Sequence, residues 1–176
     1  AAALAFHFER AGIFDQAVTY LIKVGKQMAG RYANREAHTY FQRASVLASE
    51  SAISSYEMVP IYEGLGDLYE LGGSYQQAVT AYDTALERLN NRDATWRTRL
   101  FRKKGQALLQ WGQLAEATAC FEQGLAELQS DLNADEACQL YIGLSMIAYR
   151  EDKTDEALEL GMVALRMADL SREKRN

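Results

Sequence analysis

The sequence predicts an all-α protein, a solenoid of antiparallel helical hairpins with about nine helices. Three observations predict it. The 176 residues contain one proline, apolar residues recur every three or four positions along almost the whole chain, and a pattern of small and aromatic residues returns at a near-constant interval. A sheet protein would instead alternate polarity every second residue between frequent turn signals. A composition of 48% hydrophobic and 24% charged residues is that of an ordinary globular chain able to bury a core.

Taken in order, each helix rests on side chains spaced to share one face. Helix 1–11 carries Ala5 and Phe8, helix 14–30 carries Phe14, Ala17, Leu21 and Gly25, and helix 34–49 carries Ala37, Phe41 and Ala44. Helix 56–72 holds Leu65, Gly66 and Tyr69. Helix 74–89 holds Ala78, Tyr82, Ala85 and Leu86, with Gly72 and Gly73 turning the chain between the two. Helix 93–112 holds Gly105 and Leu108, and helix 114–129 holds Ala117, Phe121, Gly124 and Leu125. Helix 133–151 holds Leu144, Ser145 and Ala148, and helix 154–171 holds Ala157, Gly161, Ala164 and Leu165. The longer turns are SESAISS, LNNRD and LQSDLN. Ser74 with Gln77, and Asn133 with Glu136, have the spacing of capping boxes, in which two side chains satisfy free amides of the first helical turn.

The alanines Ala17, Ala37, Ala78, Ala117 and Ala157 occupy equivalent places, separated by 20, 41, 39 and 40 residues. The first interval is half the others, so helix 14–30 is expected to serve as the second arm of one hairpin and the first arm of the next. The chain is accordingly read as one solenoid over 1–176, with a three-helix start at 1–49 and hairpins at 56–92, 93–130 and 133–171. It opens on Ala1 inside an already periodic stretch, which suggests a piece of a larger protein. Where helices cross at about 8–10 Å, only Gly, Ala or Ser fits the contact. Gly66 and Ala78 are expected to make one such crossing, with Tyr69 and Tyr82 filling the wedge beside it. Ala78→Leu should then overpack the hairpin at a cost of about 1–3 kcal/mol, and an unchanged melting temperature would break this register.

The segment LGDLYELGGSYQQAVTAYDTAL resembles the tetratricopeptide repeat at Leu65, Gly66, Tyr69, Gly73, Tyr75, Ala78, Tyr82, Ala85 and Leu86. The pattern returns at Gly105, Leu108, Gly112, Leu114, Ala117, Phe121, Gly124 and Leu125, and more loosely from Leu144 to Leu165. This resemblance implies a right-handed superhelical stack that binds protein or peptide segments in a concave groove lined by the first helix of each hairpin. The register assigns to that groove Lys23 and Lys26, then Glu63, Asp67 and Glu70, then Arg99, Arg102, Lys103 and Gln106, then Met146, Tyr149 and Arg150. Within it, the basic segment WRTRLFRKK at 96–104 is suited to an acidic or carboxylate-bearing partner, with Arg102 and Lys103 as anchors and Met146 and Tyr149 as apolar contacts. Tetratricopeptide domains that clamp chaperone tails place Lys and Asn in these helices, whereas Glu63 and Asp67 stand in one of them here.

Residues 4–48 also resemble the helical array that follows the ATPase module of bacterial signal-transduction ATPases and cyclase-linked regulators. That resemblance implies a regulatory or sensor region of a signalling protein, and a small-molecule or short-peptide sensor is the alternative it leaves. No P-loop pattern occurs in the chain.

Chemistry is not evident. His7 and His38 lie on different helices without a Cys or Asp at catalytic spacing, so the chain is expected not to be an enzyme. Asp131, Asn133 and Asp135 imitate the start of a calcium loop, but Glu136 stands where its Gly is needed and Ile142 where its Glu is needed. No metal and no cofactor is expected. Pairs such as Glu63 with Asp67 and Glu156 with Glu159 read as solvated helix faces. Cys120 and Cys138 lack zinc spacing and read as buried free thiols. A net charge of -5 disfavours nucleic acid. With no long apolar run and no secretory leader pattern, no membrane association and a cytoplasmic location are expected. Self-association through the terminal helices stays open.

Overall fold

The computed structural model describes residues 1–90, 93–128 and 134–173, and these form nine helices and no strand. They are α1 (Ala2–Arg10), α2 (Phe14–Ala29), α3 (Asn34–Ser49), α4 (Ser55–Leu71), α5 (Tyr75–Leu89), α6 (Ala94–Trp111), α7 (Leu114–Glu127), α8 (Ala134–Arg150) and α9 (Thr154–Glu173). Every expected helix is present, with its ends displaced by at most two residues. The chain divides into two compact units, Ala1–Asn90 and Asn91–Asn176.

In the first unit, α2 packs against both α1 and α3. Phe8 of α1 stacks on Tyr20 of α2 with ring centroids 5.5 Å apart. Phe41 of α3 is buried where α2 and α4 leave room for it. A Cβ on Gly25 would stand 3.0 Å from its ring and one on Gly64 only 2.4 Å. Tyr82 of α5 lies on Gly66 in the same way, where an added Cβ would meet the ring at 2.4 Å. Tyr69 departs from expectation. It turns to His38 of α3, with its hydroxyl 3.1 Å from Nε2 and the rings 5.4 Å apart and nearly perpendicular. Three residues beyond Gly66, it is rotated by about 60° around α4, away from α5 and toward α3. Tyr82 therefore fills the α4–α5 wedge without Tyr69.

Five turns between helices share one backbone device. Gly12, Tyr32, Gly73, Gly112 and Asp152, each five residues before an anchor alanine, all adopt positive φ between 60° and 88°. The following residue donates its amide to the carbonyl five positions back, as from Ser74 to Tyr69 at 2.8 Å and from Gln113 to Leu108 at 2.9 Å. The positive-φ residue itself donates three positions back, as from Gly73 to Glu70 at 3.0 Å, and the two bonds satisfy carbonyls at the helix end. This closure also removes the expected capping box at Ser74. The Ser74 amide that Gln77 would have accepted from is already given to Tyr69, and Ser74 makes no side-chain cap bond. A capping box does form at Ser54 and Glu57, where the preceding loop leaves Ser54 extended. The second expected box, Asn133 with Glu136, and the calcium-like residues Asp131 and Asn133 lie outside the described residues. So do parts of the turns LNNRD and LQSDLN.

In the second unit, Phe121 of α7 stands between two glycines. Added Cβ atoms would approach its ring to 2.6 Å at Gly105 of α6 and 2.4 Å at Gly143 of α8. Leu140 of α8 covers Gly124 of α7, where a Cβ would meet it at 2.8 Å. The α8–α9 hairpin keeps the register but changes its residues. Ser145 takes the place of Gly105, and Gly161 takes the place of Phe121, each 40 residues on. Ser145 Oγ donates to the Ala157 carbonyl at 2.7 Å, and a Cβ on Gly161 would meet only that hydroxyl, at 3.6 Å. The aromatic wedge is thus missing from the last hairpin. Cys120 is buried, whereas Cys138 is only half-buried, contrary to its expected burial. Among the described residues no helix is long and apolar enough to cross a membrane.

Candidate partner-binding site

The residues assigned to a groove have different fates. In the first unit, Lys23 and Lys26 are exposed on α2. Glu63 is not on a solvated face: it is buried at 8% exposure, which corrects both its reading as a surface carboxylate and its place in an open groove. The helix turns it inward beside Met58, Val59 and Ile61, which are buried on the same stretch of α4. Asp67 is exposed, yet it and Glu70 accept from the buried Tyr82 hydroxyl at 2.9 and 3.0 Å. Burial, reinforced by these two carboxylates, pushes the Tyr82 phenol well above its ordinary range. Part of the acidic face of α4 is thereby tied to the α4–α5 crossing.

In the second unit, Arg99, Arg102, Lys103 and Gln106 are half-buried along α6. Arg102 pairs with Glu136 of α8 at 2.6 Å, Arg97 pairs with Glu127 of α7 at 2.8 Å, and the Arg99 guanidinium lies 5.3 Å from the Trp96 ring centre. Much of the positive charge of 96–104 is engaged inside the fold. Arg150 donates from Nη1 to the Leu109 carbonyl at 2.7 Å, a cation at the C-terminal end of α6.

Met146, Tyr149 and Arg150 do come together. With Ser145, Thr154, Ala157 and Leu158 they line an open cleft of about 590 Å³ between α8 and α9. Tyr149 is 72% exposed, although the equivalent residue one hairpin earlier, Leu109, is fully buried. Leu158 lines the cleft without belonging to the expected groove. Its signal was positional: it follows anchor Ala157 where Thr118 follows Ala117.

His38 is occupied by Tyr69, and His7 stands edge-on to Phe6 at 5.8 Å. Among the described residues no three His, Cys, Asp or Glu side chains gather as a metal site would need.

Helical hairpins with small-on-aromatic crossings, reversed by identical short turns, define the class of helical-repeat proteins. The tetratricopeptide repeat family model matches residues 59–88 and 102–126, so repeats of that kind occur in both units. No curated protein matches the chain. Solved structures do. BtubC (BKLC) from P. vanneervenii is similar at a TM-score of 0.81 and 14% identity over 90% of this chain, which spans 66% of BtubC. MamA is similar at a TM-score of 0.70 and 18% identity over 97% of both chains. PilF of Pseudomonas aeruginosa is similar at 0.68 and 19% identity, covering 92% of this chain and 71% of its own. At such identities the likeness is one of fold.

Proposed function

We propose that this chain is a protein-interaction scaffold that takes a segment of a partner protein against the α8–α9 cleft. Tyr149 carries the reading. A large aromatic side chain left 72% exposed beside Met146, Leu158 and a guanidinium is the combination that anchors partner side chains at interfaces. An acidic residue in the partner would suit Arg150, with Arg102 and Lys103 on α6 adding positive charge. A place in a larger bacterial signalling protein is part of the proposal and rests on the resemblance over residues 4–48 alone; a cytoplasmic location is proposed with it.

Selection of binders from a displayed library of random 12-residue peptides, followed by anisotropy titration against the full chain, tests the site. Tyr149→Ala should weaken the selected peptides about tenfold or more. Arg102→Glu with Lys103→Glu should have a smaller, salt-sensitive effect. Unchanged affinity for Tyr149→Ala would move the site elsewhere. The volume of the cleft also falls within the usual range of small-molecule sites. A sensor role therefore predicts ligand-dependent thermal stabilisation that Tyr149→Ala abolishes.

A further inference from the structure

The exposed stripe Leu158, Met162 and Leu165 of α9 stands in the register of Val79, Asp83 and Leu86 in α5 and of Thr118, Glu122 and Leu125 in α7, and departs from both at its middle residue. Five residues after the anchor alanine, α5 carries Asp83 and α7 carries Glu122, but α9 carries Met162. Leu158, Met162 and Leu165, spaced by four and then three, are 65%, 53% and 64% exposed. That spacing is the apolar seam by which one helix lies along another. Beside the seam, on one side and seven residues apart, stand Glu159 and Arg166. Both are exposed, and neither is held in an ion pair among the described residues. On the other side stand Gly161 and Ala168, small enough for a second helix to come close.

We infer that this face pairs with the same face of a second copy, α9 against α9 in antiparallel orientation about a two-fold axis. The charges choose the occupant and its direction. In an antiparallel pair, equal flanking positions face each other, so Glu159 meets Arg166 of the partner subunit and Arg166 meets Glu159 of the partner subunit. A parallel pairing brings Glu159 to Thr154 and Arg166 to Gly161, and neither charge finds an opposite one. The face is therefore complementary to itself in one orientation, as a closed dimer requires. It shares only Leu158 with the α8–α9 cleft, so Met162 and Arg166 probe this surface while Tyr149 probes the other.

Sedimentation equilibrium of the full chain over roughly 1–500 μM should show a reversible monomer–dimer equilibrium. Met162→Glu, which restores the residue type of α7, should weaken dimerisation about tenfold or more. Glu159→Arg alone and Arg166→Glu alone should each weaken it by about threefold or more, and the two together should return it close to the parent value. Helix content and melting temperature, measured alongside, should stay level because all these side chains are exposed. A chain that stays monomeric over the whole range, a dimer indifferent to Met162→Glu, association beyond two copies, or a double charge swap that fails to recover would each overturn the inference.

Discussion

The α6–α7–α8 junction and the α8–α9 hairpin use one register and end differently. At the junction, Phe121 is fully buried between Gly105 and Gly143, with Leu140 closing over Gly124. At the hairpin, Ser145 and Gly161 stand where glycine and phenylalanine stood, and Ser145 helps to line an open cleft beside an exposed Tyr149. At the crossing itself, glycine has become serine and phenylalanine has become glycine. A repeat can thus keep its anchor alanines and turns while the residues at its crossing change.

Mutations can break this contrast. Phe121→Ala should cost about 3–5 kcal/mol in urea or thermal denaturation, because the ring packs on two neighbouring helices and nothing can collapse onto their glycines. Glycine substitutions should differ in sign. At Gly143 a Cβ sits 2.4 Å from the Phe121 ring, so Gly143→Ala should cost about 1–3 kcal/mol. At Gly161 a Cβ meets only Ser145 Oγ at 3.6 Å, so Gly161→Ala should add about 0.5–1 kcal/mol through helix propensity. Equal signs would mean that the two sites are packed alike.

Tyr82 occupies in α5 the place that Phe121 occupies in α7, but its hydroxyl is bonded to Asp67 and Glu70. Its phenol titrates above the unfolded value of about 10, so the stabilisation from its neutral form is complete below that pH and is lost progressively as the pH rises past it. Tyr82→Phe should lose about 1 kcal/mol at neutral pH and show a shallower decline of stability in alkali, measured by denaturant titrations at stepped pH. The smallest effect concerns the turns. Tyr32 adopts the positive φ that glycine supplies at three equivalent positions, so Tyr32→Gly should raise stability by about 0.5–1 kcal/mol in thermal melts.

The helices and their order were legible because anchor alanines and apolar spacing are local signals. What escaped the sequence depended on contacts between helices or on the backbone. Ser74 had the letters of a capping box, but its amide was taken by the turn. Glu63 looked like one of several surface carboxylates until α4 turned it inward. The pairing of Arg102 with Glu136 joins residues 34 positions apart on different helices, and no spacing rule announces it. Met146, Tyr149 and Arg150 were legible as a group from the register. The cleft they line was not, because it depends on how Thr154, Ala157 and Leu158 of α9 stand against Ser145 and its neighbours on α8.

The recurring short turns have a consequence for how the molecule can be handled. The amide closing each turn belongs to Ile13, Ala33, Ser74, Gln113 or Lys153, and the bond is formed by backbone alone. Five unlike side chains already occupy these places, and they leave the reversal of the chain unaltered. Such positions are natural attachment points: a cysteine carrying a spin label or fluorophore at Gln113 or Lys153 would ride on a fixed backbone. Pairs of these labels would then serve as rulers for motion between neighbouring hairpins when a partner binds.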